Sequence, residues 1–409
     1  MSQYVLRTAD TLIADYLAEL PAVLVIGPRA CGKTTTARRY ARTVVRLDSD
    51  EAAAFRANPD AALRERDEPL LLDEWQMVPD VLGAVKRAVD TDRRPGRFLI
   101  TGSFRSDRDD RFWPGTGRVV VLRMYPLSVA EQRQRTQSTF IDRVVAGEPL
   151  SAGDRAPMDL RDYVELAVCG GFPEPALELG PRTGRAWLES YADQIALRDA
   201  RIYSQAPDAA RLQRYLQAYA ENSAGTPSHK TLYDAAGISR KTAVAYDGLL
   251  ADLMVTDDLP AWSTNRLKRM SRAPKRYVID SGLLAGILRV GINDVLASGD
   301  LIGRFIDTFV VAQLRAESAA STTRYRLMHL RSGDGRREVD MVAELGGGRI
   351  IGIEIKSAAA VSRSDARHLQ WLRDSMDERF VAGIVFHTGR DTFDLADRIT
   401  AVPISALWA

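Results

Sequence analysis

The sequence predicts an α/β protein in several parts. These are a doubly wound parallel sheet in residues 1–135, a helical region in 136–225, a winged-helix-like segment in 226–285 and a second α/β domain in 286–409. Three observations predict this. Five short apolar runs alternate with helical patterns in the first third, as parallel sheets require. Residues 124 to about 225 carry few strand signals. Near the C-terminus, "REVDMVAELGGGRIIGIEIKS" (Arg337 to Ser357) sets two alternating runs either side of three glycines, the pattern of a β-hairpin.

Composition sets the frame. A chain of 409 residues is long enough for two or three domains, and its 45% hydrophobic and 27% charged content is that of an ordinary soluble protein. A net charge of +2 identifies no partner. Cys31 and Cys169 are too few for a disulfide framework or a zinc site, which fits a reducing compartment. No apolar run is long enough to span a bilayer, and the N-terminus does not read as a signal peptide. The expectation is a cytoplasmic protein with no membrane partner.

The first strand, Ala22 to Ile26, runs into Gly27-Pro28-Arg29-Ala30-Cys31-Gly32-Lys33-Thr34-Thr35, which contains the full G-x-x-x-x-G-K-[ST] pattern of a P-loop. Glycines let backbone N–H groups curl round phosphates, and the helix that follows adds the positive end of its dipole. Lys33 would reach the β- and γ-phosphates of ATP, and the Thr34 hydroxyl would bind Mg²⁺. "TVVRLD" supplies another strand. The run "EPLLLDEW" ends in Asp73-Glu74, which places both acids at the sheet's C-terminal edge. Asp73 would hold Mg²⁺ and Glu74 would act as the general base on the attacking water. "RFLITGS" and "TGRVVVLRMYPLS" complete the set.

A P-loop, Asp-Glu at a strand end, a polar "TGS" strand and "GR…PLS" resemble the AAA-type ATPase domain of a large prokaryotic group. Those proteins carry a C-terminal domain of unknown function with a restriction-endonuclease-like fold. The resemblance implies Ser103 as the sensor near the γ-phosphate. Arg118 is a candidate nucleotide contact, with a surface arginine as the alternative. "CGGFPEPAL" and "YADQIALRDARIY" in the middle resemble stretches of the same group, and no chemistry follows from them. Arg198 and Asp199 read either as a nucleotide contact or as a solvated pair.

From Pro227 the pattern becomes helix, Gly-Ile-Ser turn and helix, with a β-wing expected after Met254. "NRLKRMSRAPKRYVID" follows, with Arg266, Lys268, Arg269, Arg272, Lys275 and Arg276 ahead of any acid. This basic wing would grip the phosphates of DNA, or the module would serve only for packing.

The last domain answers a puzzle set by the hairpin. A simple loop at Gly346–Gly348 sets Asp340 opposite Glu354 and Glu338 opposite Lys356. Facing carboxylates destabilise a sheet unless a cation joins them. The order helix, hairpin, helix, strand is that of the PD-(D/E)xK nuclease core, and Asp340…Glu354-Ile355-Lys356 supplies its acids and lysine. Asp340 and Glu354 would bind Mg²⁺ or Mn²⁺, Asp307 would add an outer ligand, and Lys356 would be catalytic. The sequence therefore leads to an ATP-hydrolysing AAA-type protein acting on nucleic acid, either as an ATP-gated nuclease or as a regulatory ATPase whose last domain only binds DNA or a partner protein. A homo-oligomer is a further expected partner.

Overall fold

Every neighbouring pair in the first sheet is parallel, and the strand order is β2-β3-β4-β1-β5. Its strands are β1 (Ala22–Ile26), β2 (Thr43–Arg46), β3 (Leu70–Asp73), β4 (Phe98–Gly102) and β5 (Val120–Arg123). The computed structural model describes residues 4–103, 115–135, 139–151, 158–199, 208–270, 272–332 and 335–409, with backbone alone at 198, 199, 266 and 268. β1, β3 and β4 are buried along their whole length, which explains their unbroken apolar runs. Parallel neighbours need crossovers, and the helices Lys33–Ala37, Pro59–Arg64 and Asp80–Thr91 lie in those connections. The core joins Ile13 and Leu17 of the helix Thr8–Glu19 to Val23, Val25, Leu71, Leu99 and Leu122. The strand order reverses at β1, so the loop after β1 opens at the sheet's topological switch point.

The chain forms two compact units, 1–127 with 250–255, and 128–249 with 256–409. The three later segments expected from sequence therefore share one unit for most of their length. Hydrogen bonds tie them together: Trp262 donates its backbone N–H to His329 O at 2.6 Å, and Val129 donates its N–H to Gln313 Oε1 at 2.7 Å.

The second unit begins with helices, among them Leu160–Cys169, Pro181–Gln194 and Ala209–Ala220. The helix His229–Ala236 ends at Gly237 in the left-handed region, and the helix Arg240–Asp252 follows. Thr256 bridges Val278 and Leu259 bridges Lys275, both antiparallel. The order of two helices and a bridged pair of segments is the one the sequence suggests.

The second sheet has the order β10-β11-β9-β8-β7-β6. Its strands are β6 (Tyr325–Arg331), β7 (Glu338–Leu345), β8 (Ile350–Ile355), β9 (Phe380–His387), β10 (Phe393–Ala396) and β11 (Ile399–Pro403). β7 is antiparallel to its neighbours β6 and β8, whereas β9 is parallel to β8 and to β11. The helix Arg367–Met376 makes the crossover from β8 to β9 and buries Leu369, Leu372 and Met376 against Val339, Val342, Ile350 and Phe380. In the hairpin Met341 pairs with Ile353 and Glu344 with Ile350, closed by Leu345 N–H to Arg349 O at 2.8 Å. The loop is Gly346–Gly348, with Gly347 at φ +74, so glycine suits the tip. The same register carried one pair further sets Asp340 across from Glu354. Among the described residues no helix is long and apolar enough to cross a membrane.

Candidate functional site

The P-loop leaves β1 through a tight passage. A Cβ at Gly27 would strike the Met124 carbonyl oxygen, so only glycine fits there. Gly32, at φ +97, caps the helix Lys33–Ala37, and Ala30 also stands in the left-handed region at φ +57. Ala30 and Thr35 are exposed, Arg29 is half-buried, and Pro28 and Cys31 are buried. Lys33 is only 4% exposed. Its Nζ donates to Gly27 O at 3.0 Å, Pro28 O at 2.9 Å and Ser103 Oγ at 2.9 Å. Arg7 braces the loop from outside the motif, donating to Cys31 O at 2.9 Å and to Tyr125 O at 2.7 Å. Nothing in the motif pattern pointed to Arg7.

Asp73 and Glu74 lie where β3 ends. Thr34 Oγ1 donates to Asp73 Oδ1 at 2.7 Å, and Thr101 at the end of β4 donates to the same oxygen. A hydroxyl and a buried carboxylate side by side form a hard-oxygen donor set, which fits Mg²⁺. Glu74 is held at φ +59, a strained conformation for a side-chain-bearing residue and one that clusters at functional positions. Ser103 Oγ donates to Glu74 Oε1 at 3.3 Å, and Gln76 Nε2 donates to Glu74 Oε2. Lys33, Ser103, Glu74 and Gln76 thus form one polar chain. Thr101 and Gln76 were missed by the motif reading, because neither residue type is distinctive at its spacing.

Arg118 pairs with an acid on a neighbouring helix. Its Nε pairs with Asp90 Oδ1 at 2.7 Å on the helix Asp80–Thr91, and it makes none of the P-loop contacts described above. An adjacent carboxylate is the stronger partner in this structure.

In the expected basic wing, Arg269 forms a two-pronged pair with Glu344 at 2.7 and 2.8 Å, and Arg276 donates to Asp247 Oδ1 at 3.0 Å. Lys275 is 2% exposed. Arg272 donates to Arg331 O at 2.8 Å. Arg269, Lys275 and Arg276 are here turned inward by acids brought from other segments, so these three offer no free basic strip. The side chains of Arg266, Lys268, Arg198 and Asp199 lie outside the described residues.

The C-terminal acids do gather, but around a lysine. Lys275 Nζ lies 2.6 Å from Asp307 Oδ2 and 3.0 Å from Asp340 Oδ1. Tyr277 Oη donates to Asp307 Oδ1 at 2.8 Å, and Ile355 N–H donates to Asp340 Oδ2 at 3.0 Å. Lys356 Nζ donates to Glu354 Oε2 at 3.0 Å, and Glu354 is 4% exposed. Burial and then the Asp340 charge push the Glu354 carboxyl up to about 8. Burial likewise pushes Asp307 up to about 6 against the pull of Lys275. For Asp340 burial is outweighed by Lys275, the Ile355 amide and Lys356, and its carboxyl is held below the ordinary range. Glu338 lies 3.7 Å from Arg331, so its expected pairing with Lys356 gives way to one with β6.

This arrangement does not fit the expected metal. Both oxygens of Asp307 and both of Asp340 already accept from protein donors, and Glu354 Oε1 alone has no hydrogen-bond partner. Among the described residues no group of three or more His, Cys, Asp or Glu side chains could hold a metal ion. Periodicity gave the hairpin register, but Lys275 comes from a distant segment that alternation within the hairpin cannot reveal.

Comparison with known proteins divides the chain in three. Residues 19–132 match an AAA domain, residues 160–294 a domain of unknown function (DUF8612) and residues 302–407 a domain of unknown function (DUF4143). An uncharacterized protein of Mycobacterium tuberculosis and one of Mycobacterium bovis are each 28% identical over 407 residues, covering 97% of this chain and 83% of theirs. A Walker-type ATPase of Pyrococcus abyssi aligns in structure with a TM-score of 0.41 and 14% identity, over 69% of this chain and 94% of its own. Residues 19–132 are thus similar to an AAA domain and residues 302–407 to a DUF4143 domain.

Proposed function

We propose that this protein binds and hydrolyses ATP in its first unit and works on DNA, with a C-terminal domain that binds rather than cuts. The observation that carries the hydrolysis reading is the polar chain from Lys33 through Ser103 to Glu74, gathered at the strand ends beside Asp73. Lys33 rests on two carbonyls and a hydroxyl, neutral acceptors that it can leave for the β- and γ-phosphates. Thr34 and Asp73 would hold Mg²⁺, which when bound neutralises phosphate charge. Ser103, left by Lys33, can turn its hydroxyl toward the γ-phosphate. Glu74 then accepts the proton of the attacking water, and Gln76 keeps its carboxylate aimed. The test is steady-state turnover on purified protein. Lys33→Ala should abolish hydrolysis and weaken nucleotide binding. Glu74→Gln should bind ATP yet turn over at least about a hundredfold more slowly, on the scale of general-base catalysis. Wild-type turnover by Glu74→Gln removes Glu74 from the mechanism.

For DNA the supporting feature is the second helix of the pair, Arg240–Asp252, where Arg240 and Lys241 stand exposed in the first turn. Replacing both with Glu should lower DNA affinity and flatten its salt dependence by about two phosphate contacts. An unchanged slope assigns the helix pair to packing. The order of the helix Gly299–Glu317, the hairpin, the helix Arg367–Met376 and β9 supports a restriction-endonuclease-like reading of the last domain. Cleavage is the reading that the lysine between its acids disfavours.

A further inference from the structure

We infer that Lys275 is the resident cation of the Asp307–Asp340–Glu354 pocket. It takes the place of a divalent metal, and the pocket becomes a metal site only when that ammonium is removed.

The argument is one of space, donors and charge. A Mg²⁺ or Mn²⁺ ion needs about six oxygen ligands at roughly 2.0–2.2 Å. The ammonium nitrogen, at 2.6 and 3.0 Å from Asp307 and Asp340, already fills the volume between the two acids best placed to supply them. It is also anchored at its backbone. Lys275 N–H donates to Leu259 O at 2.9 Å and Leu259 N–H donates to Lys275 O at 2.8 Å. The side chain is 2% exposed. Three carboxyl groups face two ammonium groups, Lys275 and Lys356, and the His368 ring stands 4.0 Å from Glu354 Oε1. Glu354 Oε1, buried beside Asp340, makes no hydrogen bond. A network in which every other oxygen is satisfied holds together without a metal, whereas a metal entering it must displace a buried charge.

This explains why a hairpin can set two acids face to face. The neutralising charge comes from the protein, on a segment 32 residues before Asp307 and 65 before Asp340.

The test uses nucleotide-free full-length protein and Mn²⁺ counted by electron paramagnetic resonance. Wild type, Asp340→Asn and Glu354→Gln should bind the same number of Mn²⁺ ions, because none is held by these acids. Lys275→Met should gain one Mn²⁺ per chain, with a melting temperature that climbs with the logarithm of Mn²⁺ concentration. Adding Asp340→Asn to Lys275→Met should remove both gains. If Lys275→Met folds only with Mn²⁺ present, the ion has replaced the ammonium and the inference stands. A wild-type Mn²⁺ site lost in Asp340→Asn overturns it, as does a folded Lys275→Met that gains none. If Lys275→Met folds under neither condition, the wild-type comparison with Asp340→Asn and Glu354→Gln decides.

Discussion

Each unit sets a buried lysine next to acids, but the two lysines are held in opposite ways. Lys33 donates to two carbonyls and a hydroxyl, while the nearby Asp73 takes its hydrogen bonds from Thr34 and Thr101. Lys275 donates to two carboxylates. The first charge is parked on neutral acceptors and remains available to an incoming anion. The second is locked, because leaving would strand two buried negative charges. The difference shows that a lysine beside acids is not by itself a catalytic feature. What it rests on decides whether it can move.

The largest effect that could break this comparison is on stability. Lys275→Met should cost about 3–5 kcal/mol, since it leaves buried carboxylates uncompensated. Lys33→Met should cost less, because it strands neutral carbonyls and a hydroxyl rather than carboxylates. Chemical denaturation of the two variants side by side measures this. Equal losses would mean that both lysines are structural.

Thr101→Val should sharpen the same contrast on the acid side. It removes one of two hydroxyls from Asp73 Oδ1 and should cost about 1–2 kcal/mol, with slower ATP turnover but an unchanged response of the second unit to Mn²⁺. A variant as stable and active as wild type would show that Thr34 alone orients Asp73.

The last effect is a pH dependence. Burial pushes Glu317 up to about 8, although Phe140 and Ile141 N–H groups and Arg143 pull it down. A carboxyl whose folded value lies above its unfolded one near 4.5 binds a proton on folding. Its contribution is full below pH 4.5 and is lost as pH rises through about 8. Each pH unit in that window is worth up to about 1.4 kcal/mol for one proton. Glu317→Gln should flatten that slope. A slope unchanged in the variant would assign the loss to other groups.

Much of the first unit was legible because its signals are local. The P-loop is one contiguous string, and the central strands β1, β3 and β4 announce themselves as fully buried apolar runs, β3 ending at Asp73. The hairpin register was legible for the same reason: period-two alternation and a glycine loop leave one pairing, and Met341 with Ile353 follows it. The strands β6, β10 and β11 were not read: β6 and β10 are partly exposed edge strands, and β10 and β11 are only four and five residues long, so they carry little periodic signal. The fate of the basic segment was illegible in principle. Arg269, Lys275 and Arg276 meet Glu344, Asp307, Asp340 and Asp247, partners between 29 and 75 positions away on either side. A charge run predicts solvent exposure only until tertiary contacts supply the counter-charges.

The glycine tip of the hairpin has a practical use. At Gly346, Gly347 and Gly348 an added Cβ would meet nothing within 4 Å, and the pairing is already closed by Leu345 and Arg349 below it. Chain length there is uncoupled from strand alignment, and lengthening an open loop is thermodynamically cheap, about 0.6 kcal/mol per doubling. A short reporter peptide spliced between Gly347 and Gly348 would therefore ride on the acid-bearing strands without shifting them. It would give a fluorescent or spin-labelled handle on that pocket while leaving every residue of the network in place.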